Sequence, residues 1–138
     1  MNWEYAPAPE SRSVVDLAPS YGLFIDGEFV DSQDGSVFET VNPATEEVLA
    51  QVSAAGPADV DRAVKAARRA QSETWGPSSG AERAKYLFRV ARILQERSRE
   101  LAVLESLDNG KPIRESRDVD IPLSAAYFFY YAGWADKD

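Results

Sequence analysis

The stretch Tyr127-Phe128-Phe129-Tyr130-Tyr131-Ala132-Gly133-Trp134 places six large aromatic side chains in eight positions. On a helix, steps of about 100° spread these rings over every face. Such a helix cannot lie on a surface with one side wet; it needs cover on nearly all sides. Only four residues follow Trp134. A finished domain of this size seldom places such a helix last, so the expectation is a piece of a larger fold.

The remaining composition is that of an acidic globular protein. Apolar residues make up 44% and charged residues 28% of the 138, ordinary values for a folded domain. At this length folding buries about 68% of the unfolded surface, enough for a real core. The formal charge of −8 comes from 23 acidic and 15 basic side chains. It argues against nucleic acid or an anionic membrane as partner, because both would be repelled. There is no cysteine and no histidine. These residues therefore hold no disulfide, no cysteine or histidine nucleophile, no Ser-His-Asp triad and no ordinary zinc site. No run of 18 apolar residues occurs, so no membrane-spanning helix is expected. Met1 to Ser20 lacks the basic start and apolar stretch of a secretory signal and is too acidic for a transit peptide. Cytoplasm is the expected compartment by elimination.

Charge and periodicity change together near Pro57. Residues 1–57 hold ten acids against Arg12 alone, while residues 58–138 are nearly balanced. Before Pro57 the apolar pattern is short and strand-like; after it, helical. Met1 to Ser20, with Pro7, Pro9 and Pro19, reads as a flexible arm in which Trp3 and Tyr5 are free to dock on a neighbour. Asp26-Gly27 between two apolar triplets predicts a hairpin with a type I′ turn over 21–31. Val37 to Val41 and Glu47 to Ser53 read as two more strands around the turn Asn42-Pro43-Ala44-Thr45.

Four helices should follow. The first has Gly56 as cap, Pro57 at its first position and Asp59 and Asp61 in the first turn, with Val60, Ala63, Val64, Ala67 and Ala70 as the buried stripe. The second opens with the capping box Ser79-Gly80-Ala81-Glu82 and turns Ala84, Leu87, Phe88, Ala91 and Leu94 inward. The third runs from Ser98, packs Leu101, Leu104 and Leu107, and stops at Asn109-Gly110. The fourth starts near Asp118 to Pro122 and reaches about Ala135. The fold class is α+β: short antiparallel strands, then four helices. The units are an arm (1–20), a strand unit (21–55) and a helical unit (56–138).

Residues alone show no catalytic constellation. Gly110-Lys111 resembles the end of a phosphate-binding loop, but Glu105 stands where the first glycine belongs and Pro112 replaces the Ser or Thr. Asp31 to Gly35 lacks the alternating ligands of a calcium loop and reads as a solvated turn. Glu46-Glu47 reads as a surface pair. Asp108 lies at a helix C-terminus, where a carboxylate wants a compensating cation, either Lys111 or a bound metal. Lys111 is a Schiff-base candidate only if desolvated, and reads as an ordinary charge. The rings of 127–131 read as packing rather than base stacking, because a stacking platform comes with a basic groove.

Several segments nonetheless carry a resemblance. Leu23-Phe-Ile-Asp-Gly-Glu-Phe-Val30, Val41-Asn-Pro-Ala-Thr-Glu-Glu-Val48, Asp59-Val-Asp-Arg-Ala-Val-Lys-Ala-Ala-Arg68, Glu105-Ser-Leu-Asp-Asn-Gly-Lys-Pro112 and Tyr130-Tyr-Ala-Gly-Trp-Ala135 resemble the opening of the aldehyde dehydrogenase superfamily. They stand in the family's order and at its spacing over about residues 20–137, and look most like its NAD-preferring tetrameric branch. The resemblance implies oxidation of an aldehyde to a carboxylic acid through a cysteine thioester, with NAD or NADP as hydride acceptor. The family's catalytic asparagine, dinucleotide-binding strands, general-base glutamate and nucleophilic cysteine all lie beyond the matched segment. The chain alone is therefore expected to be inactive and the intact enzyme to be a homo-oligomer. Many members hold a monovalent cation, commonly sodium, through a backbone carbonyl matching Val41 and a carboxylate matching Asp108. Leu123 matches a position near the mouth of the substrate tunnel. Two other readings stay open: a stand-alone adaptor that binds through 127–134, and one half of a split dehydrogenase completed by another chain.

Overall fold

The computed structural model describes residues 11–137; Trp3, Tyr5, Pro7 and Pro9 lie outside that range. The architecture is α+β, with two small sheets followed by helices. The strands are β1 (Ser20–Tyr21), β2 (Leu23–Ile25), β3 (Glu28–Val30), β4 (Val37–Val41) and β5 (Val48–Ser53). The hairpin β2–β3 turns at Asp26 and Gly27 with φ of 59° and 87°, the left-handed pair that a type I′ turn requires. Its register sets Phe24 opposite Phe29, ring centroids 5.0 Å apart on the outer face. β4 and β5 pair antiparallel, and β1 adds a two-residue parallel strand on the far side of β5. That parallel pairing, absent from the sequence reading, is tied in by Gln51, whose N–H donates to the carbonyl of Pro19 at 3.0 Å.

The helices are α1 (Pro57–Ala70), α2 (Gly80–Glu96), α3 (Ser98–Asn109), the single turn α4 (Ile113–Glu115) and α5 (Ile121–Trp134). Two π-helical stretches extend them. Gln71–Trp75 continues α1, and Ser116–Asp120 joins α4 to α5 without a break. The last helical run therefore begins at Ile113 rather than near Asp118, since neither π stretch carries a glycine or proline to announce it. Ser116, fully buried, lies in the second of these stretches. Counted as one run, 113–134 is the fourth helix.

The helical part closes on small side chains. α2 and α5 run antiparallel: Gly80, at the start of α2, abuts the carbonyl of Ala135 just past α5, and Phe88 meets Phe129 at 6.0 Å. Ala84 and Ala91 on α2 and Ala125 and Ala132 on α5 are buried between them. A Cβ on Gly80 would sit 2.1 Å from the Ala135 oxygen, so only glycine fits.

Large side chains face outward instead. Among the described residues the buried apolar set is Ile25, Val103 and seven alanines, whereas Phe24, Phe29, Phe38, Tyr86, Tyr127, Tyr130, Tyr131 and Trp134 are each more than half exposed. The α1 stripe departs from expectation in the same way: Val60, Val64, Ala67 and Ala70 are exposed, Ala63 is half-buried, and the buried positions are Asp59 and Ala66. The side of α1 turned toward the rest of the fold is the one that carries Asp59 and Ala66, not the one that carries Val60 and Val64. The chain exposes 10,230 Å², against about 7,100 Å² for a compact monomer of its mass. The eleven residues outside the described range, at about 160 Å² each when fully extended, are too few to make up the difference.

Candidate functional site

Val41 and Asp108, the two residues singled out for a cation, lie at the ends of β4 and α3, and these two ends meet through Thr40, the neighbour of Val41. β4 ends in an irregularity between Thr40 and Val41. The turn that follows is held by Asn42, which is buried. Its side-chain oxygen accepts from the N–H of Ala44 at 2.9 Å, and its carbonyl accepts from that of Glu46 at 2.8 Å. α3 ends at Gly110 with φ of 75°, a left-handed cap that glycine adopts without strain. There Gly110 packs against the Pro43 ring, where a Cβ would come to 2.8 Å of Cγ. The Thr40 hydroxyl donates to Asp108 Oδ1 at 2.5 Å. One hydrogen bond and one glycine–proline contact thus seat the end of β4 on the end of α3.

The compensation for Asp108 differs from the simplest expectation. Its carboxylate faces the negative end of the α3 dipole, and the Thr40 hydroxyl meets it. Lys111 turns instead to Asp120 and forms an ion pair with it. That bond raises the Lys111 pKa, with smaller contributions from Glu105 and Glu115. A raised value holds the amine protonated, the opposite of what a Schiff-base nucleophile needs.

The other acidic candidates are structural. Asp34 Oδ1 accepts from the Ser36 N–H at 2.9 Å, which lowers its pKa and closes the turn. Glu47 pairs with Arg12 at 2.7 Å, tying residues 11–19 to the sheet. Asp59, which the sequence offered only as a first-turn acid, is 2% exposed. Its carboxylate accepts from the N–H groups of Gln33 and Gly56 at 3.2 and 3.1 Å, and Arg62 lies 3.4 Å away. Its burial could not be read locally, because Gln33 lies 26 residues away. No cluster of three or more His, Cys, Asp or Glu able to hold a metal occurs among the described residues. What Val41 and Asp108 offer is a carbonyl and a carboxylate, hard oxygen donors of the type alkali and alkaline-earth ions take. Thr40 was not anticipated; its only signal was a hydroxyl one residue before Val41.

A cleft of about 460 Å³ adjoins this point, with Tyr21, Thr40, Leu49, Ala50, Leu104 and Asp108 in its wall. Leu123 lies elsewhere, half exposed on α5, with the exposed Val119 four residues before it on the π stretch. No described helix is long and apolar enough to cross a membrane.

This architecture recurs in solved structures. The aldehyde dehydrogenase of Bacillus cereus, solved as its NAD+ complex, matches with a TM-score of 0.80 and 45% identity, over 87% of this chain and 26% of that one. An NAD-dependent aldehyde dehydrogenase of Sinorhizobium meliloti matches with a TM-score of 0.84 and 36% identity, over 97% of this chain and 27% of that one. The aldehyde dehydrogenase family model matches residues 29–138, and the chain belongs to that family. Among curated relatives, the mitochondrial family 2 member B4 enzyme of Arabidopsis thaliana is 49% identical over 116 residues, 83% of this chain and 22% of that protein. The chain spans less than a quarter of the length of these curated relatives.

Proposed function

We propose that this chain serves as the N-terminal part of an NAD(P)-dependent aldehyde dehydrogenase, which when whole oxidises an aldehyde to a carboxylic acid through a cysteine thioester. The observation that carries this reading is a match at 45% identity and TM-score 0.80 to about a quarter of an NAD+-bound aldehyde dehydrogenase. The large rings left on the surface agree with it, since a fold segment keeps outward whatever its neighbours cover. NAD is the favoured acceptor because of that complex. No residue here is assigned to the dinucleotide or to the chemistry, and a chain without cysteine supplies no thiolate. Its own part is architectural: an arm (1–20), a strand unit (21–55) and a helical unit (56–138). The whole enzyme would work as a cytoplasmic homo-oligomer.

Val41 and Asp108 would contribute the carbonyl and carboxylate of a sodium site, bound to the strand unit on one side and to α3 on the other. Such an ion supplies local charge compensation for Asp108 and a fixed angle between the units. The exposed rings of α5 would equally suit a stand-alone adaptor. One experiment separates the readings. Residues 20–137 are grafted in place of the aligned segment of the Bacillus cereus enzyme, within one polypeptide. Aldehyde-dependent NAD reduction by the chimera, with none by the 138-residue chain alone, supports the dehydrogenase reading. A folded but inactive chimera overturns it.

A further inference from the structure

Of the asparagines in the chain, only Asn109 is followed by glycine; Asn2 precedes Trp3 and Asn42 precedes Pro43. The difference is chemical. A backbone nitrogen that follows asparagine can attack the side-chain Cγ and close an imide ring. Proline has no N–H to lose in that step and a bulky side chain crowds the approach, whereas glycine brings no Cβ. Asn109 is also exposed, as the last residue of α3, so water reaches it.

Its neighbours hold the side chain at both ends. Asn109 Nδ2 donates to Glu105 Oε1 at 2.6 Å, and Oδ1 accepts from the Lys111 N–H at 2.8 Å. The second bond sits on the oxygen where negative charge gathers when Cγ is attacked, which favours reaction. The attacking atom, however, is engaged: the Gly110 N–H donates to the Ser106 carbonyl at 3.1 Å. While Asn109 stays helical, that N–H points back along α3 rather than toward Cγ. Reaction therefore waits for the last turn of α3 to open, a local event far cheaper than global unfolding. Two contacts from β4 and its turn resist the opening: the Thr40 hydroxyl on Asp108 and the Pro43 ring against Gly110.

We propose that Asn109 is a site of spontaneous deamidation, gated by the last turn of α3. Gly110 N bonds to Cγ and gives its proton to water, the Cγ–Nδ2 bond breaks, and the amide nitrogen leaves as ammonia. Water then opens the imide at either carbonyl and leaves aspartate or isoaspartate; nothing is oxidised or reduced. The product puts a second carboxylate beside Asp108 at the negative end of the α3 dipole. It also meets Glu105 with an oxygen where Nδ2 donated, so like charges replace a hydrogen bond one helical turn apart. The turn that opened is thereby kept open, and β4 is loosened from α3 in one direction only.

The test holds the 138-residue chain at mildly alkaline pH, in buffer and in urea. Each asparagine is followed by peptide mass spectrometry, with methyltransferase labelling for isoaspartate. Both products are expected at Asn109 and none at Asn42, about tenfold more slowly in buffer than in urea because the folded turn is mostly closed. Thr40→Val should quicken the reaction in buffer about fivefold, the extra opening that one lost hydrogen bond allows, and leave the rate in urea unchanged. Asn109→Asp, the product made directly, should speed hydrogen exchange at the Gly110 amide. Equal rates in buffer and urea overturn the gating, as does a rate indifferent to Thr40→Val. No product at Asn109 even in urea overturns the site itself, and an unchanged Gly110 amide in Asn109→Asp overturns the loosening.

Discussion

The strand unit with α1 and the pair α2–α5 solve the same problem by opposite means. The first is held by polar ties: Asp59 gathers two backbone N–H groups, and Arg69 reaches Asp26 at 2.6 Å. The second is held by the absence of side chains, with alanines and one glycine letting two helices approach closely. Each leaves its large apolar residues outside. Close approach without bulk buries little area per residue, and polar ties add specificity more than net stability. Both regions are therefore well defined locally and under-covered globally.

If steric closeness sets the helical pair, its failure should be abrupt. Gly80→Val places a branched Cβ where only 2.1 Å separates it from a backbone oxygen, and a backbone atom cannot step aside as a side-chain tip can. The expected cost is about 3 kcal/mol or more, seen as a lower urea midpoint and loss of the near-ultraviolet signal of Trp134. A midpoint within experimental error of the parent chain would show that α2 and α5 do not touch at this end.

The polar region should fail by a different route, and by somewhat less. Asp59→Ala removes the carboxylate that accepts from the Gln33 and Gly56 N–H groups. Leaving them unpaired should cost about 2 kcal/mol. Hydrogen exchange should quicken at Gln33 and Gly56 while the alanines of the α2–α5 pair keep their protection. Loss of protection in both regions at once would mean that the molecule unfolds as one unit and that the contrast is only geometric.

What the sequence disclosed follows the same line. Asp26-Gly27, the Gly56-Pro57 helix start and the Asn109-Gly110 stop are local signals, and each stands where its chemistry places it. Val60 and Val64 were legible as apolar but not as uncovered, because periodicity tells which side of a helix is greasy and nothing about what lies against it. Thr40–Asp108 spans 68 residues, so no window on the chain could pair them. The choice of Asp120 by Lys111 was hidden for a related reason: the π stretch 116–120 resets which side of the helix Asp120 occupies, and no residue pattern marks a π turn.

The joint between the strand unit and α3 gives a smaller, sharper test. Thr40→Val keeps the shape and removes the hydroxyl from Asp108. It should cost about 1 kcal/mol without altering helix content, and Thr40→Ser should restore most of it. Failure of serine to rescue would assign the effect to the threonine methyl rather than to the hydrogen bond.

Exposed ion pairs should matter least, yet they report cleanly on where each region is tied. Arg12 lowers the Glu47 pKa through a hydrogen bond and its charge, and Arg97 does the same to Glu100. A carboxylate with a depressed folded-state pKa adds stability above its unfolded value, 4.5 for glutamate. That contribution fades as pH falls through the folded value. Both side chains should therefore titrate below 4.5 in a carboxyl-detected NMR experiment. Arg12→Ala should return Glu47 toward that value and leave Glu100, which Arg97 holds, where it was. A Glu47 midpoint at or above 4.5 in the parent chain would show that Arg12 is not tied to the sheet and leave the Gln51–Pro19 hydrogen bond to hold the segment. Movement of Glu100 on loss of Arg12 would instead show that the polar ties of the strand unit and the first turn of α3 share one electrostatic network.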